Sequence, residues 1–339
     1  FYKTFFKFLA NPILNCYYEM ANEGQLKSPF NLCKILLIPK KGCVTNISNW
    51  RPISLCNTSY KIFSAAIANR LKDACDKITD IAQKGYSASK NISEAIVNIF
   101  NNIKSQKAKG IDVATIALDF SKAFDKVSHD FILKSLKFFN FGPTFINLIK
   151  TIITNRFAYI QNLDDETLRF LISSGVPQGL APSGYLFIIS LEILIIRIIS
   201  ETQLFTPIHE NANINENTQN TPQIHVVTPD LNIHPQTHDT PVINTGEGVT
   251  NPPPPDPANK SIYADDFTMC IIPTPENFLL FKEIMDQFHE LSGLCTNYSK
   301  TTVMFSSQPA QNTLDAAKLV GLKITASTCV LGFKFDSQL

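Results

Sequence analysis

A chain of 339 residues, 44% apolar and 17% charged, is long for one core and sufficient for two or three subdomains. Its eight Cys, at 16, 33, 43, 56, 75, 270, 295 and 329, form no C-x-x-C pair, which excludes a zinc knuckle and a dithiol redox motif and fits buried thiols in a reducing, intracellular setting. The formal charge of +1 hides an asymmetry: residues 198–259 hold no Lys or Arg, so the remainder carries 30 basic against 22 acidic residues, a modest surplus that suits a polyanionic partner.

Residues 1–30 read as a helix followed by a loop broken at "NEGQLKSPFN". "LCKILLIPK" (32–40) reads as a strand ending at Pro39, and "KKGCVTNISNW" as loop. The spacing of Ile62, Phe63, Ala66, Ile67 and Leu71 predicts a helix over 60–78, and "SEAIVNIFNNIKSQKAKG" predicts another over 93–110 with Ser93 as cap. "DVATIALDF" (112–120) is a strand whose apolar run ends at Asp119, followed by helices over 130–139 and 144–153. "FAYIQ" and "LRFLISS" flank Asp164-Asp165-Glu166 as a hairpin, and the turn "GVPQG" opens an apolar helix reaching about Ile199. That run, 185–199, carries Glu192 and Arg197 and is shorter than the roughly 18 uninterrupted apolar residues a membrane span needs, so it reads as a buried helix. Nothing at the N-terminus reads as a signal peptide.

Residues 201–259, rich in Asn, Thr and Pro, have no hydrophobic period and read as a disordered insertion. Four of the six His lie there, at the irregular spacings that polar composition alone produces. Beyond it, "SIYADDFTMCII" is a strand pair around two acids, "NFLLFKEIMDQFHELSGLCTN" a helix, and "KTTVMFSS" and "TCVLGFKFD" one strand each. The pattern is mixed α and β without a Gly-rich phosphate loop.

Adjacent carboxylates such as Asp265 and Asp266 repel, and Asp is a poor strand former. Their charge can be cancelled by Lys or Arg, by a shared proton or by a divalent metal. Under the metal reading, a third oxygen ligand should come from another strand end. Asp119 ends an apolar run, with Asp125 six residues on. Three carboxylates from two strand ends suit two Mg²⁺ ions about 4 Å apart, the arrangement for in-line phosphoryl transfer. The blander reading makes "ADD" an exposed hairpin tip and Asp119 a helix cap.

The order of the motifs adds a resemblance. "IPKKG…NWRPISL", "LDFSKAFDKV", "GVPQG…SGYLF", "YADD", "NYSKT" and "LGFKF" follow one another from Leu32 to Phe335. The chain resembles the reverse transcriptase domain of non-LTR (LINE-type) retrotransposons. That likeness implies an α+β right-hand polymerase, with fingers, a palm built on a small antiparallel sheet, and a truncated thumb. It implies four segments: 1–111 as N-terminal extension and fingers, 112–200 as first palm part with the template-pocket loop, 201–259 as insertion, and 260–339 as second palm part reaching the start of the primer grip. Asp119, Asp265 and Asp266 match the metal-binding acids, and the main-chain carbonyl of Phe120 a further ligand, for two Mg²⁺ with Mn²⁺ as substitute. Phe124 matches the ring that excludes a 2′-hydroxyl. Lys40 or Lys41 and Arg51 match the fingers cations that grip the triphosphate, for which the planar Arg fork is suited. Gln178 and Gly179 match the nucleotide- and template-lining loop, and Lys300 matches a lysine proposed to protonate pyrophosphate.

Two departures stand out. After Gly179 the family usually shows small-Pro-x-Ser-Pro, whereas this chain has Leu180-Ala181-Pro182-Ser183-Gly184, and its Gln-x-Gly-Phe segment reads Gln83-Lys84-Gly85-Tyr86. The resemblance implies RNA template, DNA primer or target and dNTPs as partners, no membrane, a nuclear location with cytoplasmic assembly, and membership of a longer polyprotein with an endonuclease. The alternative is a decayed or domesticated copy that holds nucleic acid without chemistry. Group II intron proteins, telomerase and RNA-directed RNA polymerases share the palm; Phe124 argues against ribonucleotide synthesis.

Overall fold

A computed structural model describes residues 1–40, 42–80, 83, 85–86, 92–160, 169–205, 260–263, 266–330 and 333–336. Helix α1 (Phe6–Glu23) leads into strands β1 (Leu32–Pro39) and β2 (Trp50–Cys56), then α2 (Thr58–Ile78) and α3 (Ile92–Ala108). Strand β3 (Ala114–Leu118) precedes the single turn α4 (Ala123–Lys126), α5 (His129–Phe138), α6 (Pro143–Ile153), β4 (Arg156–Ile160), β5 (Phe170–Ile172) and α7 (Ser183–Ser200). The chain continues with β6 (Lys260–Tyr263), β7 (Asp266–Ile271), α8 (Pro275–Ser292), β8 (Thr302–Phe305), α9 (Gln311–Leu319), β9 (Lys323–Ile324), β10 (Ser327–Val330) and β11 (Phe333–Asp336).

Two sheets position the site. One runs β6-β7-β3-β8-β9, antiparallel except for the parallel β8–β9 pair. Its strands alternate in period two, as a sheet buried on both faces must. Ile116, Phe267, Met269, Val303 and Phe305 enter the main core, while Cys270 and Met304 on the other face pack with Val113, Phe335, Ile99 and Ile103, the last two from α3. Each such large side chain contributes on the order of 1.5–3 kcal/mol by leaving water. The second sheet runs β2-β1-β4-β5. Helix α7 packs against α2, α5 and α8. Among the described residues α7 alone is long and apolar enough to cross a membrane by composition, yet two thirds of it is buried inside the protein, including Glu192.

The expected helices form with boundaries shifted by a few residues. Strand β2 was not expected: Pro52 interrupts its pattern, and it is tolerated because β2 is an edge strand, where a proline breaks no inner ladder. The single strand expected in "TCVLGFKFD" is two antiparallel strands, β10 and β11. Helix α9 and the two-residue strand β9 also went unread, α9 because "QNTLDAAKL" is mostly polar. Residues 201–205, assigned to the insertion by composition, form a turn at Thr202–Leu204 with Leu204 buried, and Ile272 N–H donates to the Leu204 carbonyl at 2.8 Å. The rest of the expected insertion, 206–259, lies outside the described residues, as do Lys41, Asp164–Glu166 and Asp265. Cys16, Cys33, Cys43, Cys56, Cys75, Cys270 and Cys295 are free thiols; Cys33, Cys56, Cys75 and Cys270 are buried and Cys43 is exposed.

Candidate active site

The last ladder pair between β3 and β7 is Leu118 with Phe267, and the β6–β7 hairpin closes at Tyr263 with Asp266. Asp119 and Asp266 therefore each stand one residue beyond the Leu118–Phe267 pair, at adjoining strand ends. Asp265 falls between the described residues, and the side chain of Asp266 is likewise outside them.

Asp119 is held by the loop that follows α8. Its N–H donates to Thr301 Oγ1 at 3.2 Å, and its carbonyl accepts from Asn297 N–H at 2.7 Å. Its Oδ2 accepts from Asn297 Nδ2 at 2.8 Å and lies 3.8 Å from Lys300 Nζ. The lysine side chain is 69% exposed, so that ion pair is worth at most about 1 kcal/mol in the absence of substrate. Phe120 pairs with Thr296 in an isolated bridge and turns its ring into the core near Phe288. Sequence reasoning missed Asn297, whose signal is only its place three residues before Lys300. Asn297→Ala should lower kcat about 10- to 100-fold, the usual value of a hydrogen bond to a charged group, with KM little changed in steady-state primer extension.

A cavity of about 1120 Å³ opens between the two sheets. Its walls bring together Asp119, Phe120, Phe124, Gln178, Gly179, Lys300, Lys40 and Arg51 from five separated segments. Trp50, Lys122, Asp125 and Asn297 also line it. The Phe124 ring stacks on Phe187 of α7, with centroids 4.7 Å apart and planes at 22°. Gln178 Nε2 donates to Asp125 Oδ1 at 3.0 Å. Burial holds the Asp125 carboxyl above its ordinary range, against the opposing pull of Gln178, Lys122 and Lys40.

The Gln178 loop is pinned from both sides. Because β2 is an edge strand, Ser54 N–H is free of the ladder and donates to the Gln178 carbonyl at 3.1 Å. On the palm side, Gly175 N–H donates to Val127 O and Val176 N–H to Phe124 O, both at 2.7 Å. Gly175 sits at φ +80° with the Asp125 carbonyl 2.6 Å from where a Cβ would be, so no other residue fits. His129 Nε2 bonds the Gly175 carbonyl at 2.8 Å; a carbonyl only accepts, so the neutral ring carries its proton there. Burial pushes the His129 imidazole below its ordinary value, although the carbonyl bond opposes this. A depressed imidazole favours the neutral folded state, so its contribution is complete above about pH 6.5 and is lost as pH falls through the folded value. Melting should drop by a few °C between about pH 7.5 and about pH 5. His129→Gln, which keeps a donor and does not titrate, should flatten that part of the profile.

Among the described residues no three His, Cys, Asp or Glu side chains form a metal cluster. The donors at these strand ends, carboxylate oxygens beside a main-chain carbonyl, have the hardness that Mg²⁺ and Mn²⁺ prefer.

Residues 38–218, more than half of the chain, match the family model described as reverse transcriptase (RNA-dependent DNA polymerase). A transposon TX1 uncharacterized 149 kDa protein of Xenopus laevis is 29% identical over 57% of this chain and 15% of its own length. The Pol polyprotein of a type-1 retrotransposable element R2 of Popillia japonica is 30% identical over 49% of this chain and 23% of its own. The chain thus spans less than a quarter of either relative. Among solved structures, apo telomerase of Candida tropicalis truncated from its C-terminal domain matches 95% of this chain and 57% of that one, with TM-score 0.56 and 12% identity, a likeness of fold alone.

Proposed function

Since the chain belongs to the reverse transcriptase (RNA-dependent DNA polymerase) family, we propose that it extends a DNA primer on an RNA template as the polymerase segment of a non-LTR retrotransposon protein. The observation that carries this reading is that Asp119, one residue past the Leu118–Phe267 pair that joins β3 to β7, shares the walls of one cavity with Lys40 and Arg51. Relatives named for the elements R2 and jockey support the retrotransposon assignment.

In this reading Asp119, Asp265, Asp266 and the Phe120 carbonyl would hold two Mg²⁺ ions, which when bound supply charge neutralisation for the attacking and leaving oxygens. The chain's own residues do the rest. Asn297 and Thr301 fix the Asp119 backbone and carboxylate, so the acid is aimed before substrate arrives. Arg51 and Lys40 face the cavity from the second sheet, where they would grip a triphosphate through charge-assisted hydrogen bonds. Lys300, exposed and 3.8 Å from Asp119, would deliver a proton to departing pyrophosphate. Phe124, braced by Phe187, would exclude a 2′-hydroxyl.

The test is primer extension with dNTPs and Mg²⁺ on an RNA template. Incorporation directed by the template supports the reading. The alternative, a nucleic-acid-binding module without chemistry, rests on the altered 180–184 loop and predicts template–primer binding with no incorporation in Mg²⁺ or Mn²⁺.

A further inference from the structure

The two departures noted in the sequence meet in space. Tyr86 belongs to the Gln-x-Gly-Tyr segment and Gly184 to the first turn of α7, and both line the cavity. A Cβ on Gly184 would lie 2.1 Å from Cε1, 2.3 Å from Cζ and 2.4 Å from Cδ1 of Tyr86. The tyrosine ring therefore occupies the volume that any other residue at 184 would fill with its own side chain. A proline there, which the resemblance makes usual, cannot coexist with this ring.

The ring is held in that place by its own segment. Gln83 is fully buried, its N–H donates to Asp80 O at 3.0 Å, and its Oε1 accepts from Gly85 N–H at 2.8 Å. The turn carries Tyr86 at φ +57°, a backbone conformation that side chains rarely adopt, which has to be maintained by the contacts around it. Tyr185 lies 6.1 Å away, tilted by 60°. Yet Tyr86 remains 45% exposed, toward a cavity whose other walls are charged or polar at Asp119, Lys300, Lys40 and Arg51. A half-exposed aromatic ring that lines such a cavity while seated on a bare helix backbone has the form of a stacking platform: bases of any identity present a π-face, and aromatic side chains bind them on it.

We propose that Tyr86 and Gly184 act as one unit, with the tyrosine ring, seated on the glycine, forming the surface on which a nucleobase of the nascent pair stacks. The proposal rests on the polymerase reading for the presence of that base, and two sources share the chemistry, the incoming dNTP and the template.

The probe is a template–primer carrying 2-aminopurine at the templating position, whose fluorescence reports stacking without any chemistry, combined with steady-state extension. Tyr86→Ala should reduce the stacking signal and weaken binding about 10-fold, while kcat changes little and Tyr86→Phe stays near wild type. A raised KM for the complementary dNTP assigns the incoming base; a raised Kd for template–primer assigns the template base; either supports the platform. Gly184→Ala, which must expel the ring, should reproduce the Tyr86→Ala phenotype, and Tyr86→Ala/Gly184→Ala should be no worse than either single variant. Effects that add, or a Gly184→Ala protein identical to wild type, overturn the pairing. Unchanged 2-aminopurine signal, KM and Kd in a folded Tyr86→Ala protein overturn the stacking role. Should Gly184→Ala not fold, the Tyr86 variants still decide the stacking role. A wild-type chain that stacks the probe but never extends it defeats the polymerase reading and leaves the platform standing.

Discussion

Asp119→Asn should abolish template-directed extension, by at least about 10³-fold in kcat/KM, with melting temperature nearly unchanged. The amide is the same size and can still accept from Asn297 Nδ2 and keep its backbone bonds to Asn297 and Thr301, so the strap around the β3 end survives. What disappears is the anionic oxygen. A metal-bound transition state draws several kcal/mol from such charge, and each 1.4 kcal/mol is tenfold in rate. Asp265→Ala and Asp266→Ala should match it. Combining any two should cost little more than one, because groups that act together are strongly non-additive. Extension surviving any of these single changes would remove that acid from the reaction.

The second large effect concerns sugar choice. Phe124→Ala should raise ribonucleotide incorporation relative to deoxynucleotide about 100-fold, equivalent to roughly 2.7 kcal/mol of lost discrimination. The ring acts by exclusion, so its removal should improve rNTP KM while dNTP turnover falls only modestly. Its stack on Phe187 matters here, since a gate that can swing aside discriminates poorly. Phe187→Leu, which keeps apolar volume but not the flat face, should give part of the same relaxation. Single-nucleotide incorporation of matched dNTP and rNTP reads both; unchanged sugar selectivity in Phe124→Ala would assign that ring to packing alone.

The helices with a clear apolar stripe, α2, α5, α6 and α8, were legible because one buried face repeats at helical spacing, and β3 was legible because Val113 to Leu118 form a short apolar run ended by an acid. Strand β2 was not, since Pro52 and the polar Arg51 and Ser54 disguise an edge strand that uses its outer face to hold the Gln178 loop. At the site, Asp119, Lys300, Phe124, Lys40, Arg51 and Gln178 stood out through the order of their motifs. Asn297 and the seat of Tyr86 on Gly184 did not. Their meaning lies in contacts between segments far apart in the chain, and neither a polar loop residue nor a helical glycine announces such a contact locally.

The hairpin of β6 and β7 also says where this architecture tolerates growth. Phe205 follows the turn whose Leu204 carbonyl is tied to Ile272, just past the end of β7, and Lys260 re-enters beside Met269, three residues earlier on the same strand. Lys260 thus sits on the outermost strand of the sheet, at the end of the hairpin remote from Tyr263 and Asp266, and Phe205 follows a turn tied to that same end of β7. Between two such neighbouring points a change of loop length is cheap, since doubling a loop costs only about 0.6 kcal/mol of closure entropy. Related chains should therefore differ most in length at this junction, and excising most of 206–259 with a short polar bridge should leave the catalytic architecture intact.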